Sequence, residues 1–450
     1  VTPPLDDPTH EILPPRYDWQ GFGFDTRQVH AGEIDEPGHG ARITPVYLTA
    51  AYRFDSFAQA EARFTGADDG QLYSRNLNPT HQVAERRIAS LEGGAGAIVV
   101  GSGQAAITAV LLGLAGAGER IVSTASIYSG TRILFDRTFA RLGVSSDYVR
   151  DARDEAEWDA AIGPDTKAIF IETIPNPKND LVDVVAVGRI ARRHGIPLIV
   201  DNTVATPYLI RPLELGADVV IHSSTKFLSG HGAALSGAIV DGGRFDWAGS
   251  SRAFPGLTDP GAGGKPSYVE AYGERALEAY LRFGIVNDLG AALSPMNSFL
   301  LQQGIETLSL RMERHLANAA AVAEWLDAHP AVESVDFAGL PDNPFHDIAR
   351  ARFGGHAGSV FAFTVRGGRD AAEAFVDALQ VFSRMTNIGD VRSMALHPAT
   401  TTHVSFPAEE RERLGIGDGL IRLSIGIETV ADLIADLSQG LDAATRRVGG

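Results

Sequence analysis

One stretch constrains the rest of the chain: Ala217 to Gly237 reads ADVVIHSSTKFLSGHGAALSG. Its apolar run, Val219-Val220-Ile221, ends in hydroxyls, then one lysine, then small residues. A short apolar run bounded by turn residues predicts a strand of a buried parallel sheet. In open α/β sheets ligands gather where strands end, which puts Lys226 at the rim of a crevice beside Ser223, Ser224 and Thr225. A lysine in a desolvated, hydroxyl-rich rim can lose its proton and condense with a carbonyl. A lone lysine there is more ordinarily an exposed strand-end cation. Its neighbours decide.

The bulk of the sequence limits what can enter such a crevice. At 450 residues the chain is too long for one core, so two or three domains are expected. A net charge of −17 argues against nucleic acid or an anionic membrane as partner. No apolar stretch approaches the ~20 residues of a membrane span. The start, VTPPLDDPTHEILPP, is acidic and proline-rich, unlike a signal peptide. With no cysteines, disulfides, thiolate catalysis and cysteine-ligated metals are excluded. The expected compartment is the cytoplasm.

Residues 1–40 carry Pro, Gly and Asp with little periodicity and read as an extended arm. Thr80 is expected to cap a helix over His81–Glu92. Strand and helix patterns then alternate: strands at Ala97–Val100, Arg120–Ser123, Lys167–Glu172, Leu198–Asp201, Val219–His222 and Gly237–Val240, with helices between them. That alternation predicts βαβ units and a mostly parallel sheet. A Gly/Pro-rich excursion over 241–267 interrupts it. Helical periodicity resumes over Tyr268–Phe283 and Ser298–Leu326, before strands near Ser334–Phe337, Ser359–Val365, Val381–Met385 and Leu420–Gly426. The expected division is an N-terminal segment (1–75), a large α/β domain (76–297) and a smaller C-terminal α/β domain (298–450).

Four further positions carry chemistry. Gly101-Ser102-Gly103-Gln104 joins a strand to a helix, so free N–H groups and the helix dipole offer an anion site; a plain turn fits as well. Asp201 ends a strand and faces the same crevice as Lys226; it can hold a proton on a heterocyclic nitrogen or simply shape a turn. Tyr128 follows a strand and offers a ring to stack on, or to pack. Arg422 lies within an apolar strand and must be paired if buried, by a ligand carboxylate or by a structural one.

Together these parts suit pyridoxal phosphate and an amino acid. Their set and order resemble the fold-type I pyridoxal-phosphate enzymes, and within them the family of cysteine and methionine metabolism, from Phe24 onward. The resemblance rests on Thr26-Arg-Gln-Val-His-Ala-Gly32, Tyr73-Ser-Arg75, Asn78-Pro-Thr80, Leu91-Glu-Gly-Gly94, Ser102-Gly-Gln104, Asp201-Asn-Thr203, Ser223-Ser-Thr-Lys226 and Arg422-Leu-Ser-Ile-Gly-Ile-Glu428. It implies that Lys226 carries the cofactor as a Schiff base, Asp201 pairs with the pyridine nitrogen and Tyr128 stacks on the ring. It further implies phosphate binding by Gly103, Gln104, Ser223 and Thr225, and Asn176 near the phenolic oxygen. Tyr73 and Arg75 are implied to reach the neighbouring subunit's cofactor, making the active unit a dimer, usually paired into a tetramer. Arg422 is implied to clamp the substrate carboxylate, with Asn387 and Tyr73 also lining that site. No metal is implied.

Three stretches resemble the sulfhydrylase branch, in which sulfide displaces acetate from an O-acylated homoserine. They are Arg244–Leu257 with Ser267-Tyr-Val-Glu270, Leu289–Pro295 with Gly304–Leu308 and Arg311–His315, and Asn387–Asp390 with His397-Pro-Ala and Thr401-Thr-His403. Related lyases tend to carry serine where Asn387 stands. The alternative is a γ-lyase or cystathionine-forming activity on the same scaffold. Gln104 departs from the methionine common in the lyases.

Overall fold

The computed structural model describes residues 18–36, 38–68 and 70–449. Seven strands form the large sheet: β1 (Gly96–Val100), β2 (Arg120–Thr124), β3 (Ser145–Val149), β4 (Thr166–Glu172), β5 (Leu198–Asp201), β6 (Val219–His222) and β7 (Gly237–Asp241). Their spatial order is β1-β7-β6-β5-β4-β2-β3, and β7 alone runs against the others. Central strands are buried throughout because both faces are covered, and they are apolar up to the polar residues at their ends. Alternate residues serve opposite faces: Ile121, Phe170, Ile199 and Ile221 join one core, while Val122, Ile171, Val200 and Val220 join another.

β3, an edge strand of sequence SSDYV, breaks the expectation of apolar strands. Its one open edge is wet, so polar residues suffice and periodicity gives no warning. The second sheet contains β8 (Val332–Asp336), β9 (Val360–Val365), β10 (Ser383–Arg384), β11 (Met394–Leu396) and β12 (Leu420–Ser424), in the order β10-β11-β12-β9-β8. β12 lies between β11 and β9, so Arg422 sits on a central strand. Helices Gly368–Ala378 and Val430–Gly449 pack together beside it.

Several local expectations need correction. Residues 24–30 form a helix rather than part of an extended arm. Tertiary contacts hold it: Gln28 exchanges hydrogen bonds with Ser309, and Arg27 donates to the Ser90 carbonyl. The reading of residues 1–17 as an arm lies outside the described residues. Asn78, not Thr80, caps helix Pro79–Glu92 by accepting the Thr80 N–H, while the Thr80 hydroxyl bonds to Pro45 and Tyr47. The expected helix over Tyr268–Phe283 is broken at Gly273, whose φ of 54° no ordinary helix adopts. The 241–267 excursion is packed in its first part and exposed over residues 259–266. Phe245, Trp247 and Phe254 form an edge-to-face cluster, with Trp247 and Phe254 centroids 5.1 Å apart, and Leu257 is buried beside them. No helix among the described residues is long and apolar enough to cross a membrane.

Candidate active site

Strands β4, β5 and β6 end side by side, and their last residues define a floor. Glu172 and Asp201 are register partners on the face that also buries Phe170 and Ile199. Helix Gly103–Leu114 covers that face, so its N-terminus opens over the same floor. Ser102 caps it by accepting the Ala105 N–H at 3.1 Å. The N–H groups of Gly103 and Gln104, first in the helix, have no intrahelical acceptor. A Cβ at Gly103 would lie 2.6 Å from the Ser223 Cβ, so only glycine lets the helix approach the Ser223 turn. The helix start at Gly103 and the turn with hydroxyls after β6 are thus brought side by side.

The Ser223 N–H donates to the Thr203 hydroxyl at 2.8 Å, which donates in turn to Asp201 Oδ1 at 2.5 Å. The Thr203 N–H also goes to Oδ1, an Asx turn, leaving Oδ2 open. Burial raises the Asp201 pKa, opposed by the two Thr203 bonds and by the charge of nearby His222. Glu172 is pushed well above the usual carboxyl range by burial and by Asp201 beside it. Two adjacent buried acids without a cation between them favour a positive ring placed against Asp201.

Lys226 Nζ donates to Asn387 Oδ1 at 2.5 Å. Burial, with the charge of Arg422 nearby, draws its pKa down to about 8. Arg422 is buried and donates to the carbonyls of Thr386 (3.1 Å) and Asn387 (3.0 Å) and, at 3.4 Å, to Asn176 Oδ1. It meets no carboxylate among the described residues, and its Nε–H has no partner. Burial lowers its pKa to about 10. Lys226, Asn387, Arg422 and Asn176 therefore form one connected group.

Tyr128 leaves β2 and stands half out in solvent, with its main-chain N–H on Glu172 Oε1 at 2.7 Å. Its ring lies against Gly130, where a Cβ would collide with it. The Gln104 side chain donates to the Gly130 carbonyl at 3.0 Å, tying the helix start to the Tyr128 turn. The Thr225 hydroxyl donates to the Ser236 carbonyl and accepts the Ser236 N–H, so its proton is spent on closing the loop. Tyr73 and Arg75 are not brought to this group. Both are exposed, with the Arg75 guanidinium 5.4 Å over the Tyr73 ring.

Three buried elements here have no role legible in the sequence. Glu172 ends an apolar strand just as Asp201 does, a signal that could have found it. His222 Nε2 and Asn202 Nδ2 both meet Glu92 Oε1, at 2.7 and 2.9 Å, in a fully buried network behind Asp201. Arg311 donates to the carbonyls of Phe227, Leu228 and Gly304, fixing the turn after Lys226.

A desolvated amine, a buried acid with one open oxygen and a helix-terminal anion cradle at the end of a parallel sheet define a class: enzymes that work through pyridoxal phosphate. The profile of the family described as Cys/Met metabolism PLP-dependent enzyme matches residues 25–442, and the chain belongs to that family. It is 46% identical over 435 residues to the O-acetyl-L-homoserine sulfhydrylase of Corynebacterium glutamicum, covering 95% of this chain and 100% of the relative. Among solved structures it resembles a Campylobacter jejuni O-acetylhomoserine (thiol)-lyase that contains N'-pyridoxyl-lysine-5'-monophosphate. The TM-score is 0.90 at 34% identity, covering 94% of this chain and 100% of that one. A Lactobacillus plantarum cystathionine γ-lyase complexed with L-serine matches with a TM-score of 0.81, at the same identity and coverage.

Proposed function

We propose that this chain converts O-acetyl-L-homoserine and sulfide into L-homocysteine and acetate. The observation that carries the reading is the Lys226–Asn387 hydrogen bond: Asn387, a position where the resemblance favours the sulfhydrylase branch over the lyases, is the partner of the reactive amine. Full-length similarity to a sulfhydrylase supports it.

Lys226 would hold the cofactor covalently, the Gly103 and Gln104 N–H groups and the Ser223 hydroxyl its phosphate, Asp201 its ring nitrogen, Tyr128 its ring face and Asn176 its phenolic oxygen. Pyridoxal phosphate supplies an electron sink that acidifies the amino acid at Cα and then at Cβ. Arg422 binds the substrate carboxylate, an acceptor of the kind that its buried Nε–H lacks. Burial and the nearby Arg422 favour the neutral form of the Lys226 amine, which once freed can move protons at Cα and Cβ. Asn387 restricts the rotation of Nζ and so aims it. Asp201 keeps the ring nitrogen protonated, while Thr203 fixes the carboxylate. Acetate leaves Cγ, sulfide takes its position, and proton transfers at Nζ in the opposite sense release homocysteine.

Product analysis tests this directly. Purified enzyme given O-acetylhomoserine should yield homocysteine when sulfide is present. Release of 2-oxobutyrate as the main product, with or without sulfide, would identify a γ-lyase instead.

We read the active unit as a dimer, paired into a tetramer, in the cytoplasm, with Tyr73 and Arg75 completing the partner's site. The support is that both side chains are exposed and engage each other rather than their own subunit's cluster. Subunits carrying Arg75→Ala and Lys226→Ala, each nearly inactive, should regain activity when exchanged, because a mixed dimer has one intact site. Verified exchange without recovery would assign Arg75 to its own subunit.

A further inference from the structure

The floor of the site holds two carboxyls, and the proposed chemistry uses only one. Glu172 and Asp201 are register partners on β4 and β5, share one face of the sheet and are both buried. Neither forms an ion pair with a described residue. Their hydrogen bonds differ. Asp201 collects two donors on one oxygen, a hydroxyl and an N–H, which suits an anion. Glu172 receives a single donor, the main-chain N–H of Tyr128 at 2.7 Å. One positive ring can balance one of the two charges, and Asp201 is the better prepared to remain ionised. The Tyr128 N–H begins the turn that holds the ring over Gly130, a turn tied also to Gln104.

We propose that Glu172 is a positioning residue that acts as a neutral carboxylic acid, pinning the main chain of Tyr128 over the cofactor and leaving Asp201 the only anion against the ring nitrogen. This rests on the cofactor roles proposed above for Tyr128 and Asp201. Burial and the neighbouring Asp201 both favour the neutral form.

The test compares Glu172→Gln, which keeps an uncharged acceptor, with Glu172→Leu, which removes it. Each is stripped of cofactor, and pyridoxal phosphate is titrated back while its absorption and induced circular dichroism are followed. Glu172→Gln should bind within about twofold of the parent with an unchanged spectrum. Glu172→Leu should bind about three- to tenfold more weakly, the loss of one hydrogen bond, with altered dichroism. In a Tyr128→Leu background the Glu172→Leu effect should largely vanish.

Impairment of Glu172→Gln equal to that of Glu172→Leu would mean that the charge is needed and overturn the proposal. So would parental behaviour of Glu172→Leu. If Tyr128→Leu itself binds cofactor normally, the stacking role fails and this inference falls with it; if only Glu172→Leu is silent, the stacking role stands. Should Glu172→Leu not fold, Glu172→Thr asks the same question, being too short to reach the Tyr128 N–H.

Discussion

Two buried arginines in this molecule have opposite surroundings. Arg282, beneath the large sheet, meets Glu85 and Glu278 at 2.8–3.1 Å and spends further donors on the carbonyls of Asn76 and Ala97. Burial alone would lower its pKa, but the two glutamates outweigh burial and raise it. Arg422 is as deeply buried, meets only carbonyl and amide oxygens, and has its pKa lowered to about 10 by that burial. The first region closes its charge with its own residues. The second meets no carboxylate among the described residues, and neither does Lys226, whose amine bonds to the Asn387 amide oxygen.

The largest effect expected from this contrast is on turnover. Lys226→Ala should abolish the visible absorption of the bound cofactor and lower activity by at least about 10³-fold, while the cofactor-free variant unfolds no more easily than its parent. Substantial residual activity, measured by homocysteine formation, would place the reactive amine elsewhere.

Arg282→Met should do the reverse. It leaves Glu85 buried without a cation and Glu278 with only the exposed Arg275, which costs about 3–5 kcal/mol. Chemical unfolding should register that loss, while the folded fraction keeps the parental kcat. A loss below about 1 kcal/mol would erase the distinction between the two regions.

A smaller effect follows from the open amine. In cofactor-free protein the Lys226 pKa is lowered from 10.5 to about 8, so between those values the unfolded chain binds more protons than the folded one. Stability therefore rises with pH across that window, and below about pH 8 the folded state bears the full cost of the buried charge. The unfolding free energy of the parent relative to Lys226→Met should increase by on the order of 1–3 kcal/mol from pH 8 to pH 10.5. A flat difference would mean that the amine is solvated in the folded state.

The legible part of the molecule was that with local physical signatures. Apolar runs ending in Asp201 and His222 announced buried strands, and an arginine inside an apolar strand announced the buried Arg422. Polar edge β3 carried no such pattern. The contacts that organise the site join residues far apart in sequence, such as Glu92 with His222 and Tyr128 with Glu172, and no periodicity encodes them. Asn387 stood out only by resemblance; that it bonds the Lys226 amine required the folded chain. The helix at Phe24–His30 was hidden for the same reason, since its polar residues are satisfied by Ser90 and Ser309.

We assign the unpartnered Nε–H of Arg422 to the substrate carboxylate, and one comparison of two substrates in two enzymes tests that assignment. O-acetylhomoserine and its carboxamide are assayed with the parent and with Arg422→Met. The parent should prefer the acid by about ten- to a hundredfold in kcat/KM, the worth of a charge-assisted contact of about 1.5–3 kcal/mol. Arg422→Met should lose that preference, by falling on the acid and not on the amide. If the variant still prefers the acid as strongly as the parent does, Arg422 does not bind the carboxylate.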